Sequence, residues 1–169
     1  MKLSSKVEEV LNKQINAEFW SAHLYLSMAA YFENKGFKGF AHWMKIQYRE
    51  EVSHALKLFD YVNERGGRVL LEAVAEVEVD WNGVYEVFED TYAHECKVTE
   101  MIYNCMDVAV EAGDYATSGM LQWYVDEQIE EEATVQDLLN RLKLIGGDGS
   151  ALYMLEKELS ARVFTEPGN

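Results

Sequence analysis

The chain has one proline, Pro167, and it lies close to the C-terminus. Proline fixes φ, lacks an amide donor and breaks helix interiors, so nothing of that kind interrupts the preceding residues and long helices are permitted. Glycine supplies the punctuation instead, as Gly66-Gly67, Gly113 and Gly146-Gly147. Between these breaks apolar residues recur at steps of three and four over about residues 5–34, 39–65, 83–111 and 114–145. A short fifth piece, about 150–161, carries Leu152, Leu155 and Leu159 on one face. Ser5-Lys-Val-Glu8 has the form of a capping box opening the first helix.

Helices of nearly 30 residues are about 40–45 Å long. The first and second, and the third and fourth, are joined by short links and form antiparallel hairpins. The stretch 67–82 is longer, and about 16 residues extended at roughly 3.3 Å each span about 50 Å, the full length of a bundle. Within it Glu76-Val-Glu-Val-Asp80 alternates polar and apolar, which suits an extended strand along the outside. With 49% hydrophobic residues the chain can bury a substantial core. The expectation is one all-α domain over residues 1–169: a four-helix bundle with a long crossover between helices 2 and 3 and a short fifth helix.

Charge narrows the partners. Fifteen Lys and Arg against thirty Asp and Glu give 15 − 30 = −15, which argues against nucleic acid or an anionic membrane. Met1 to Gln14 contains no apolar run of signal-peptide length, and no stretch reaches the roughly 18 apolar residues of a membrane span, so a cytoplasmic protein is expected. Cys96 and Cys105, nine positions apart, fall on opposite faces of one helix and are expected to be reduced thiols.

The apolar stripes carry the functional signal. They read Val7, Leu11, Gln14, Glu18, Ser21, Tyr25, Met28, Phe32 on the first helix, and Phe40, Met44, Gln47, Glu51, His54, Leu58, Tyr61 on the second. The third reads Val84, Phe88, Tyr92, Glu95, Thr99, Ile102, Met106, and the fourth Leu121, Tyr124, Gln128, Glu131, Val135, Leu138, Leu142, Ile145. A carboxylate interrupts every stripe near its midpoint. One such glutamate is commonly a side chain reaching out to solvent, and one histidine a satisfied core residue. Four at one level are different, because antiparallel helices of equal length bring their midpoints together. Glu18, Glu51, Glu95, Glu131 and His54 then share one dry layer, at a desolvation cost of several kcal/mol per ion. Two divalent cations would balance the four carboxylates, and oxygen donors with one imidazole suit iron, manganese or zinc.

Further acids surround the layer. Glu127 and Glu130 share one side of the fourth helix and could combine with Glu50 into a second, wetter site, while Glu132 is expected in solvent. Tyr25 lies two turns beyond Glu18 and could hydrogen-bond a ligand or donate an electron. His23, His42 and His94 fall off the stripes and read as surface or structural residues.

These positions resemble the non-haem bacterial ferritins through essentially the whole chain, in Asn16-Ala-Glu18, Glu50-Glu-Val-Ser-His54, Tyr92-Ala-His-Glu95, Leu121-Gln-Trp-Tyr-Val-Asp-Glu-Gln128 through Glu132, and Leu152 through Ser160. The resemblance implies a ferritin-like fold, with Glu18, Glu51 and His54 as a first iron site. Glu51 bridges to a second site formed with Glu95 and Glu131, Gln128 standing beside it. Glu50, Glu127, Glu130 and Glu131 match a third site leading towards a storage cavity, and Tyr25 matches the family's tyrosine near the iron pair. It further implies ferroxidase chemistry on two Fe(II) ions with dioxygen or hydrogen peroxide as oxidant, and a homo-oligomeric cage of twenty-four subunits.

Departures from related patterns matter too. Di-iron carboxylate bundles use Glu-x-x-His twice, but the second copy here is Gln128-x-x-Glu131, so the second metal should be held more loosely, as a way-station. Bacterioferritins carry a haem-binding methionine just after the first Glu of Glu-x-x-His, where this chain has Val52, so no haem is expected. A rubrerythrin-like peroxide reductase without storage is the alternative; that family usually adds a rubredoxin-like cysteine site, which two non-adjacent cysteines cannot make.

Overall fold

A computed structural model describes residues 2–165. Five helices follow in order: α1 (Ser5–Lys35), α2 (Lys38–Glu64), α3 (Val84–Glu111), α4 (Tyr115–Ile145) and α5 (Gly149–Leu159). Their ends follow from local chemistry. The side chain of Ser4 accepts from the Val7 amide and caps α1, so the cap lies one residue before the expected Ser5. Gly36, at φ 86°, closes the same helix in the left-handed region, its amide returning to the Phe32 and Glu33 carbonyls. Asp114 and Asp148 cap α4 and α5 by accepting from the amides of Thr117 and of Ser150 and Ala151.

α1 and α4 run one way, α2 and α3 the other. The aromatic rings at the end of α1 and the starts of α2 and α3 accordingly meet, Phe32 with Phe40 at 5.3 Å and Phe40 with Phe88 at 5.8 Å between ring centres. The crossover 66–83 is extended, as expected, but it pairs with no strand among the described residues. Side chains of α1 satisfy its backbone instead. Asn12 accepts from the Leu70 amide and donates to the Arg68 carbonyl, and Asn16 does the same for Glu72 and Leu70. Ser27 donates to the Glu78 carbonyl and Tyr31 to that of Trp81. Four side chains on one face of α1 thus lead the crossover from the bottom of the bundle to the top.

Helix α5 lies on its own chain. Leu155 and Leu159 are buried and Leu152 packs against the same core. Gly39 makes this possible, since a Cβ there would come within 2.0 Å of the Glu156 carbonyl oxygen. The Gly39 amide donates to Glu156 Oε1, and Arg141 pairs with Glu158.

The core has two apolar halves. The upper is aromatic, around Tyr25, Tyr31, Phe32, Phe40, Trp43, Trp81 and Phe88. The lower is mainly aliphatic, around Val7, Leu11, Ile15, Leu58, Val62, Val98, Ile102 and Leu121. A buried polar layer separates them. Three of the four expected stripes are buried along nearly their whole length, but that of α3 is rotated: Thr91, Val98 and Cys105 are buried where Tyr92, Thr99 and Met106 are only half so. Glu95 belongs to both rows, which is why the shift leaves it inside.

Candidate metal centre

The polar layer is built by the midpoints of all four long helices. Gln14, Glu18 and Ser21 come from α1, Gln47, Glu51 and His54 from α2, Glu95 from α3, and Gln128 and Glu131 from α4, and all are buried. Steps of three and four in each sequence keep these residues on one helical face.

Glu18, Glu51 and His54 each offer one ligand atom to a common point, all within 4.8 Å of one another. Nδ1 of His54 is 3.8 Å from Glu51 Oε2. Three atoms here, Glu18 Oε2, Glu51 Oε2 and His54 Nε2, are buried with no hydrogen-bond partner among the described residues. Orphaned buried polar atoms cost roughly 1–3 kcal/mol each and more when charged, and a metal ion would serve the free carboxylate oxygens together with one nitrogen of the His54 ring. The donor set, two carboxylates and an imidazole, suits iron, manganese or zinc.

Neighbouring groups hold Glu18 and Glu131 by one oxygen each and Glu95 by both. Gln14 donates to Glu18 Oε1 at 2.9 Å and Gln47 to Glu131 Oε2 at 2.9 Å. Gln128 donates to Glu95 Oε2 at 3.1 Å, and the Tyr25 hydroxyl donates to Glu95 Oε1. The His54 ring stands edge-on to Trp123 and Tyr124, and Tyr124 donates to the His54 carbonyl at 2.8 Å.

Electrostatics follow from burial. Burial, then the charge of Glu51, raises Glu18 well above the usual carboxylate range; burial, then Glu95, does the same for Glu51. Burial raises Glu95 against the hydrogen bonds from Tyr25 and Gln128. Burial and Glu95 push Glu131 up to about 7. The layer therefore favours protonated acids until a cation arrives, and cation binding must release protons. Burial also raises the Tyr25 phenol, which keeps it a hydrogen-bond donor.

The outer acids are arranged differently. Glu50 is largely buried, yet Arg162 reaches it at 2.7 Å; burial still outweighs that pairing and pushes Glu50 up to about 7. Glu127 is half-buried and Glu130 exposed, one turn apart on α4. Glu132 is half-buried and accepts from Thr99 at 2.5 Å, which corrects the expectation of a free surface acid. His94, read as surface or structural, is half-buried against Trp20 and hydrogen-bonded to Ser21, and desolvation lowers it to about 4. The sequence reading assigned no role to Gln14 and Gln47, although both interrupt their stripes one turn before Glu18 and Glu51. It also missed Arg162, which lies beyond the last helix and outside any periodic pattern.

Comparisons with known proteins bear on the fold that carries this layer. The ferritin-like domain model matches residues 8–145. The bacterial non-heme ferritin of Staphylococcus aureus (strain USA300) is 41% identical over 164 residues, covering 97% of this chain and 99% of that protein. Its Staphylococcus epidermidis counterpart is 40% identical over the same length. Among solved structures, an engineered closed form of Archaeoglobus fulgidus ferritin superposes with a TM-score of 0.96 at 52% identity, covering 97% of this chain and 100% of that one. The open pore ferritin from the same archaeon gives 0.95 at 51%, covering 96% and 100%. A full-length match in sequence and fold, with the acidic layer at its centre, makes this chain a member of the ferritin family.

Proposed function

We propose that the protein is an iron-storage ferritin that takes Fe(II) as substrate, oxidises it in the mid-bundle layer and stores the Fe(III) product as mineral in a shell of its own copies. The observation that carries this reading is the buried group Glu18, Glu51 and His54, whose ligand atoms lie within 4.8 Å of one another and whose side chains keep atoms without a hydrogen-bond partner, in one layer with buried Glu95 and Glu131. Two Fe(II) ions are the substrate pair: Glu18 and His54 hold the first, Glu95 and Glu131 the second, and Glu51 lies between them. Each ion gives one electron, and together they reduce dioxygen or hydrogen peroxide by two. Carboxylate oxygens bind Fe(III) more strongly than Fe(II), which lowers the potential and drives the oxidation. Protons leave the acids as iron enters. Tyr25 and Gln128 orient Glu95, while Gln14 and Gln47 orient Glu18 and Glu131.

Glu50, Glu127, Glu130 and Glu131 form the outgoing third site, whose partial exposure suits transit better than retention. Assembly into twenty-four copies and a cytoplasmic location are part of the same reading. The net charge of −15 supports attraction of cations, and no helix among the described residues is long and apolar enough to cross a membrane.

Size-exclusion chromatography after aerobic Fe(II) loading tests the reading. A cage-sized particle that co-elutes with ferric iron is expected. A small species that consumes peroxide and retains no iron overturns storage.

A further inference from the structure

We infer that Arg162 is a built-in competitor for the third acidic site: its guanidinium holds Glu50 in place of a metal ion, and metal arriving there must displace it. This rests on the functional reading above. The short segment after α5 turns back across α2 and is clasped by it. His42 Nε2 bonds the Arg162 carbonyl at 2.7 Å, and the Arg49 guanidinium stacks on the Phe164 ring at 4.1 Å. The Arg162 side chain lies over Trp43 at 4.7 Å, with Nη2 on Glu50 Oε2 at 2.7 Å and Nη1 on Gln47 Oε1. Gln47 in turn donates to Glu131. A single cation therefore touches one acid of the third site directly and a second through one amide.

Three features separate this contact from a simple strut. Arg162 lies beyond the end of α5 at Leu159, and that helix is already fixed by Gly39, by the Arg141–Glu158 pair and by its buried leucines. Guanidinium stays protonated at any working pH, so it cannot step aside by losing its charge. A divalent ion at Glu50 would also lie within a few ångströms of that positive group, where the two repel strongly in a partly buried site. Arg162 is thus a positioning residue that weakens metal retention at the third site and favours onward release.

Anaerobic calorimetric titration of the assembled protein with Zn(II), which is redox-inert, tests this. Arg162→Gln is expected to leave the tight site at Glu18, Glu51 and His54, which Arg162 does not touch, unchanged and to tighten the weak site about tenfold, the scale of one charge-assisted hydrogen bond. Arg162→Lys, which keeps the charge but can touch only one partner, should give a smaller gain. A weak site that is unchanged or weakened in Arg162→Gln overturns the inference, as does a gain in Arg162→Lys equal to or above it. A Zn(II)-loaded structure of the unaltered protein should show Arg162 moved off Glu50. Zn(II) bound at Glu50 with the 2.7 Å pair intact overturns it, and so does absence of Zn(II) at Glu50 in both proteins. Absence of a tight site at Glu18, Glu51 and His54 in the unaltered protein would instead sink the functional reading, so the two failures are distinguishable.

Discussion

Buried acids in this bundle are treated in two ways. At the lower end Asp114 is neutralised by Arg65 at 3.0 Å while it caps α4, and beside the layer Glu50 is met by Arg162. In the layer itself no Lys or Arg among the described residues forms an ion pair with Glu18, Glu51, Glu95 or Glu131; Gln14, Gln47, Gln128 and Tyr25 serve three of them instead. At Asp114 the guanidinium completes the acid, supplying charge and donors together; at Glu50 burial outweighs the Arg162 pairing, so that acid stays open to a competing cation. A neutral amide fixes the orientation of one oxygen and leaves the charge uncompensated. The lower pair holds the fold, whereas the layer is kept short of cations.

Removing a proposed ligand tests that difference most severely. His54→Ala should slow anaerobically loaded, oxygen-triggered Fe(II) oxidation by at least about 100-fold, since even the partners of metal ligands are worth 10–100-fold, while the assembled particle survives. Stopped-flow absorbance reads the rate, and unchanged kinetics would remove His54 from the site. Arg65→Ala should do the opposite, lowering stability by about 2 kcal/mol, the worth of hydrogen bonds to a charged group, without slowing oxidation. Chemical denaturation beside the same stopped-flow assay separates the two, and a slowed oxidation would erase the contrast.

Acidity offers a gentler probe. Glu131 is raised from the ordinary 4.5 to about 7, so the metal-free fold keeps a proton that the unfolded chain has already lost between those values. Stability of the metal-free protein is therefore greatest at the acid side of that window and falls as pH rises through about 7. Glu50 acts with the same sign. Melting temperatures at about pH 5 and pH 8 should show the fall, and Zn(II) should abolish it; a metal-free melting temperature that rises across the window contradicts the sign. The smallest effect is expected from Glu130→Ala. This exposed residue should alter iron release and leave the first fast oxidation intact, which rapid mixing with release assays would check.

Much of this was legible in the sequence because helical periodicity converts spacing into position. The carboxylate in each stripe predicted Glu18, Glu51, Glu95 and Glu131 in the interior, and the length of 67–82 predicted a crossover along the bundle. What periodicity could not resolve is rotation by one residue, which is why Thr91, Val98 and Cys105 rather than Tyr92, Thr99 and Met106 face inward on α3. The strand expected from Glu76-Val-Glu-Val-Asp80 has no strand partner among the described residues; Ser27 bonds the Glu78 carbonyl and Tyr31 that of Trp81 just beyond it. Arg162 was invisible for a different reason: its partners Gln47 and Glu50 lie more than a hundred positions earlier, and only the packing of α5 on Gly39 brings them together.

A crystal soaked briefly in Fe(II) without oxygen tests the central claim most directly. The account predicts an iron ion bound by Glu18, Glu51 and His54, and a second beside Glu95 and Glu131. Acids that remain bonded only to one another and to water, with no metal between them, would contradict it.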